Sequence, residues 1–213
     1  MDEFQLINSY FSKISKKNKY ALNLNDDVFF DNKNGVVVSV DTYNIKKHFI
    51  NFNHPELIFK KILRSSISDL VCKGVLPKFY FISGSGNKKI FNKKNLFKIS
   101  KSLEEEQKKF KIFLSGGDTT FSNQASFTII TLGYSNKIIL RNKAKLDDDI
   151  YVTGNLGDSF LGLEILKKRI KTNKNLSTYF IKKYYKPDIH LNISKYLLRF
   201  ANTSIDISDG LFN

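Results

Sequence analysis

Seven aspartates stand where a short carboxylate could be held against a rigid backbone: Asp26, Asp27, Asp41, Asp69, Asp118, Asp206 and Asp209. Several follow hydrophobic runs that read as strands, and a carboxylate at a strand end can meet Mg²⁺ at its demanding octahedral geometry. Each of them alone also has an ordinary reading, as a helix cap or turn former. The most specific element is Ser115-Gly116-Gly117-Asp118-Thr119-Thr120. Two glycines after a strand let backbone N–H groups approach a phosphate while the next carboxylate holds its counter-metal, although an ordinary Gly-Gly-Asp turn would look the same. Gly84-Ser85-Gly86 lacks the third glycine of a dinucleotide fingerprint, and the chain has no P-loop pattern, so any ATP site is of another kind.

Four further residues have side chains suited to such a site. Arg141 follows Ile138-Ile139-Leu140, where a planar guanidinium can grip phosphate oxygens in two places or simply face solvent. His48, beside Phe49, can donate to a phosphate or pack at a strand or loop edge. His54 reads as a residue that precedes or caps the helix starting at Pro55, and Cys72 as a small buried side chain rather than a nucleophile.

The elements that must position these groups alternate between helix and strand. Phe4, Ile7, Phe11 and Ile14 recur at helical spacing. Val36 to Val40 is a β-branched run that predicts a strand with Asp41 at its end. Pro55 opens a helix whose apolar stripe runs to Val71, ends before Gly74 and Pro77, and carries Asp69 in its last turns. Lys78 to Ser83 predicts a strand followed by a turn at Gly84 to Asn87, and Leu96 to Phe110 a second helix. Ile112 to Leu114 predicts a strand running into the Gly-Gly-Asp turn. Strands are also expected at Phe127 to Leu132, Lys137 to Leu140 and Ile150 to Val152, with helices from Phe160 to Ile170 and from about Pro187 to Phe200. The pattern is α/β or α+β, with a boundary in the charged stretch Arg141 to Asp149 and no convincing internal repeat.

Composition bounds the class. The chain has 213 residues, 41% of them hydrophobic, with 19 Phe and 10 Tyr, enough for a sizeable core. No apolar run approaches a membrane span, and the start Met1-Asp2-Glu3 is not a targeting segment. The single cysteine excludes an intrachain disulfide and fits a reducing compartment, so a cytoplasmic protein is expected. The net charge of +15 could attract a polyanion, but its lysines are spread along the chain, which reads as a solvated surface and makes nucleic acid an unlikely partner.

Taken in order, these elements resemble the thiamine-monophosphate kinase family, which belongs to an ATP-binding superfamily shared with aminoimidazole ribonucleotide synthetase and selenophosphate synthetase. The resemblance rests on Asn25-Asp26-Asp27, Ser39-Val40-Asp41-Thr42 with His48-Phe49, and Ser68-Asp69-Leu70 with Gly74 and Pro77. It continues through Gly116-Gly117-Asp118-Thr119-Thr120, Arg141 with Ala144, Val152-Thr153-Gly154 with Leu156-Gly157-Asp158, and Asp206-Ile207-Ser208-Asp209-Gly210-Leu211. These segments span nearly the whole chain in the family's order.

The resemblance implies transfer of the γ-phosphate of ATP to thiamine monophosphate, giving thiamine diphosphate, with several Mg²⁺ ions held by clustered aspartates. It assigns the metal ligands to Asp27, Ser39, Asp41, Asp69, Asp118, Asp206 and Asp209, with Val40 offering only its backbone carbonyl. Gly117, Arg141 and Ser208 would contact ATP, and His48 the thiamine phosphate. It also implies a two-domain synthetase-like fold: an ATP- and Mg²⁺-binding, dimer-forming domain over residues 1–142, and the start of a C-terminal α/β domain over 143–213. A homodimer is expected to pair its N-terminal sheets. Family members run for roughly another hundred residues, about a small domain, so this chain is expected to be cut short and poorly active alone. The alternatives are a related synthetase with another acceptor, and a silent dimerisation or nucleic-acid-binding module.

Overall fold

The structure, a computed structural model, describes residues 2–208, 210 and 211. Its centre is one five-stranded sheet of β1 (Phe29–Asp31), β2 (Val36–Asn44), β3 (Pro77–Gly86), β4 (Phe113–Phe121) and β5 (Ser126–Tyr134), ordered β1-β2-β5-β3-β4. All neighbours are antiparallel except β3 and β4, which are parallel and joined through a helical crossover. Short helical turns α1 (Glu3–Leu6) and α2 (Ser12–Ser15) flank a π-helical turn near the N-terminus. The long helices are α3 (Pro55–Cys72) and α4 (Lys93–Phe110), followed by α5 (Asp158–Leu166), α6 (Lys174–Tyr185) and α7 (Leu191–Phe200).

One sheet face carries the helices. Strand alternation buries Val37, Ser39 and Tyr43 of β2 and Phe127, Ile129 and Thr131 of β5 on that side, where Ile58, Ile62 and Ile67 of α3 meet them. Pro55 stands at the first turn of α3 and Glu56 suits its positive end. At the other end Gly74 takes a left-handed conformation (φ +80°). Its N–H donates to Val71 O, and Val75 N–H reaches back to Leu70 O at 3.0 Å, which closes the helix in a Schellman turn. Arg64 of α3 is buried and pairs with Glu106 of α4 at 2.7 and 3.0 Å. It also donates to Pro187 O, tying the segment before α7 to the same layer. Tyr184 and Tyr185 of α6 join the main core.

The other sheet face has no helix on it. Val40 (61%), Phe113 (53%) and Tyr134 (58%) are exposed there, and β4 is exposed along its whole length at the sheet edge.

Several expected boundaries shift. β2 continues to Asn44, so Asp41 lies inside the strand rather than after it. Gly84-Ser85-Gly86 and Ser115 to Thr120 are not turns. They extend β3 and β4, because each pairs with the other through Gly86↔Phe121, with a bulge that accommodates Ser115. Residues 137–140 are not a strand; Ile139 N–H donates to Lys73 O at the end of α3 rather than to a neighbouring strand. Residues 150–152 also form no strand; Ile150 and Tyr151 face solvent. β1 and α6 were not anticipated, and α7 begins at Leu191 rather than Pro187.

Candidate phosphoryl-transfer site

β2 and α3 bring the acidic residues together. Strand alternation turns Ser39, Asp41 and Tyr43 toward the helix layer, while helical spacing puts Ser66, Asp69 and Lys73 on one flank of α3. Ser39 Oγ donates to Asp69 Oδ2 through a short bond in a buried setting. Asp41 Oδ2 accepts from Tyr43 Oη at 3.0 Å and from Ser66 Oγ at 2.9 Å. Thr131 of β5 supports this corner by donating to Ser66 O. From the far end of the chain Asp206 arrives beside them and accepts from Ser68 Oγ at 2.6 Å.

These carboxylates repel one another in a poorly solvated place. Burial, then the charges of Asp41 and Asp206, push the Asp69 pKa well above the ordinary carboxylate range; the Ser39 bond opposes this. Burial likewise raises Asp206, with Asp27 and Asp41 adding to it. The Tyr43 hydroxyl is raised by burial and by Asp41, so it remains a neutral donor.

The turn 25–27 follows a strained stretch in which Leu22, Asn23 and Leu24 are all left-handed (φ 51°, 58° and 56°). Two cations hold this turn. Lys73, wholly buried at the end of α3, lies 2.9 Å from Asp26 Oδ1 and 2.7 Å from Asp27 Oδ2, and donates to Ser204 O at 3.2 Å. Burial opposes its charge, yet Cys72 and the two aspartates together keep its pKa above the usual lysine value. Arg141 wraps the same turn: Nη1 reaches Asp27 Oδ1 at 3.2 Å, Nη2 reaches Asn25 Oδ1 at 2.9 Å, and its backbone N–H donates to Asp26 Oδ2.

The donor set fits a hard divalent ion. Among the described residues, the hydrogen bonds to Asp41, Asp69 and Asp206 all fall on Oδ2, so their Oδ1 atoms remain for a cation. Oxygen donors of this kind suit Mg²⁺. Among the described residues, the one group with a ligand atom from each of three residues within 4.8 Å of one another is Asp27, Cys72 and Asp206, so Asp27 and Asp206 are the carboxylates already spaced for a shared ion; the Cys72 thiol donates to Asp69 O and burial pushes its pKa up.

The remaining anticipated residues lie elsewhere. His48 is in the loop after β2, its Nδ1 accepting from Asn44 N–H at 2.8 Å and its ring edge-on to Tyr43 at 5.7 Å, so it adjoins the cluster through the tyrosine bonded to Asp41. Val40 points to the opposite sheet face, which leaves only its backbone on the acidic side. Ser208 is exposed near the end of the chain, and Asp209 lies outside the described residues.

Gly117 and Asp118 are in β4. The register aligns Thr42, Thr128, Ser83 and Asp118 in one row, three strand spacings across, or about 14 Å. That row alternates away from the helix face, so Asp118 and Asp41 occupy opposite faces of one sheet. Sequence reasoning missed Lys73 and Tyr43. Both were within reach of periodicity alone: Lys73 is one helical turn beyond Asp69, and Tyr43 is two strand residues beyond Asp41.

Residues 22–134 match the family described as AIR synthase related protein, N-terminal domain. The chain is 34% identical to the thiamine-monophosphate kinase of Buchnera aphidicola subsp. Schizaphis graminum, over 100% of its own length and 67% of that protein's. It is 31% identical to the thiamine-monophosphate kinase of Bacillus subtilis, over 99% and 68%. It thus spans about two thirds of the curated relatives it matches. The solved structure of AaThiL complexed with AMPPCP and TMP superposes with a TM-score of 0.87 at 26% identity, covering 98% of this chain and 66% of that one. The crystal structure of thiamine monophosphate kinase from Aquifex aeolicus gives 0.83 at 24% identity, over 99% and 70%. An aspartate cluster carried by β2, α3 and the returning chain, on a fold and a sequence shared over the full chain with these proteins, means that the chain belongs to the thiamine-monophosphate kinase family.

Proposed function

We propose that this chain carries the ATP- and Mg²⁺-binding part of a kinase that moves the γ-phosphate of ATP onto thiamine monophosphate. The observation that carries this reading is the gathering of Asp41, Asp69 and Asp206, hydrogen-bonded by serine and tyrosine hydroxyls and mutually repelling: carboxylates held together need a cation, and two phosphates need the same cation to approach each other. Bound Mg²⁺ would neutralise and align the phosphates. The protein's own part is positional. Ser39, Ser66, Ser68 and Tyr43 fix the carboxylates, Arg141 with Gly117 and Ser208 would meet the nucleotide, and His48 would donate to the acceptor phosphate. Asp209 would complete the metal set.

A homodimer is part of the proposal. The uncovered face of the sheet, with Val40, Phe113 and Tyr134 exposed, is the surface a second copy would cover. Asp118 is on that face, so it would serve the site of the partner rather than its own. Residues 1–142 would form this dimerising domain and 143–213 the beginning of the next, and a single cysteine fits the cytoplasm.

The test is incubation of the chain, and of a version carrying the C-terminal third of a curated relative, with ATP, Mg²⁺ and thiamine monophosphate. Thiamine diphosphate and ADP should appear in equal amounts and only with Mg²⁺. No product from either version would overturn the assignment.

A further inference from the structure

We propose that Lys73 is a resident cation of this pocket, standing against the 25–27 turn in place of a divalent ion and leaving the metal to Asp41, Asp69 and Asp206. The inference rests on the reading of the pocket as an Mg²⁺ site.

The cations are gathered at one end of the pocket. There Asp26 and Asp27 face Lys73 and Arg141, two negative charges against two positive ones, and each oxygen of Asp27 meets a different cation: Oδ2 at 2.7 Å from Lys73 Nζ, Oδ1 at 3.2 Å from Arg141 Nη1. Both oxygens of Asp27 are thus already paired with protein cations, which weakens their pull on a divalent ion. Asp41, Asp69 and Asp206 are hydrogen-bonded by hydroxyls among the described residues, with Asp27 close enough to act on Asp69 and Asp206 and Lys73 close enough to act on Asp206.

Lys73 is not free to leave. Its ammonium has three donors, and three acceptors surround it: Asp26 Oδ1, Asp27 Oδ2 and Ser204 O. It is fully buried, and a buried ammonium deprived of its partners is strongly unfavourable. A metal ion ligated by Asp27 would sit beside this fixed charge and be repelled. The contact to Ser204 O has a second effect, because it anchors the backbone two residues before Asp206. Lys73 is therefore a positioning residue for one metal ligand and a substitute cation at another.

Mn²⁺ binding to the full chain, counted by electron paramagnetic resonance, together with melting in EDTA, tests this. Lys73→Met should melt lower than wild type in EDTA and gain one Mn²⁺ per chain. Adding Asp27→Asn to that variant should remove the gained ion. Asp27→Asn alone should leave the wild-type Mn²⁺ count unchanged, and this measurement decides the matter should Lys73→Met not fold. Loss of an ion in Asp27→Asn, or no gain in a folded Lys73→Met, overturns the inference while the metal reading stands. Absence of Mn²⁺ binding in wild type and variant alike overturns both.

Discussion

The hydroxyl of Ser39 on β2 donates to the carboxylate of Asp69 on α3, and this buried bond helps tie the sheet to the helix at the centre of the acidic cluster. It is also the contact that opposes the raised pKa of Asp69. Replacement of Ser39 by Ala should leave a buried carboxylate oxygen unsatisfied, with a loss of about 1–3 kcal/mol in stability. Mg²⁺ affinity should fall with it. Denaturant melts and an Mg²⁺ titration on the same variant check the two effects, and an unchanged Mg²⁺ affinity would take Ser39 out of the site.

Asp69→Asn probes the charge itself. A carboxylate with a raised folded-state pKa contributes most to stability while protonated, below its ordinary value of 3.8, and that contribution is lost as pH rises through the raised folded value. Metal-free Asp69→Asn should thus melt higher than metal-free wild type at pH 8, and the difference should shrink on acidification toward pH 4. Mg²⁺ should stabilise wild type and not the variant. Thermal melts in EDTA and in Mg²⁺ across this range give the answer; a variant less stable than wild type at pH 8 would contradict it.

The opposite facing of Asp41 and Asp118 predicts complementation between subunits. Asp118→Asn and Asp69→Asn chains should each lack Mg²⁺-dependent binding of an ATP analogue. Mixed after unfolding and refolding together, they should recover binding in one site of each heterodimer, because that site takes Asp69 from one chain and Asp118 from the other. No recovery despite heterodimer formation would place both residues in one protomer's site.

Away from the site, Arg64 and Glu106 form a buried pair between α3 and α4, with Arg64 at 5% exposure and Glu106 at 2%. Glu106→Ala would leave the guanidinium with Pro187 O as its remaining hydrogen-bond acceptor among the described residues. The expected loss is about 3–5 kcal/mol, which at this chain length lowers Tm by roughly 6–20 °C. Glu106→Gln, which keeps an acceptor, should lose less, and equal losses would show that packing rather than charge dominates.

The helices that frame the site were legible because their signals are local: Pro55 and Gly74 bracket α3, and an apolar stripe runs between them. The edges of β3 and β4 were not. Gly84 to Gly86 and Gly116-Gly117 have turn composition, and only the pairing of two distant strands holds them extended. The same is true of residues 137–140, whose strand-like composition is overridden by a bond from Ile139 N–H to Lys73 O at the end of α3.

The order and type of the aspartates placed this chain in one family from the sequence alone, because the motifs are short, local and in register with that family along the whole chain. Which aspartates meet was decided by tertiary structure. Strand alternation sends Asp41 to the helix side and Asp118 to the other, helical spacing swings Lys73 onto the 25–27 turn, and the returning chain delivers Asp206 to Ser68 across 138 residues. Charge compensation depends on distance in space, which no run of neighbouring residues records.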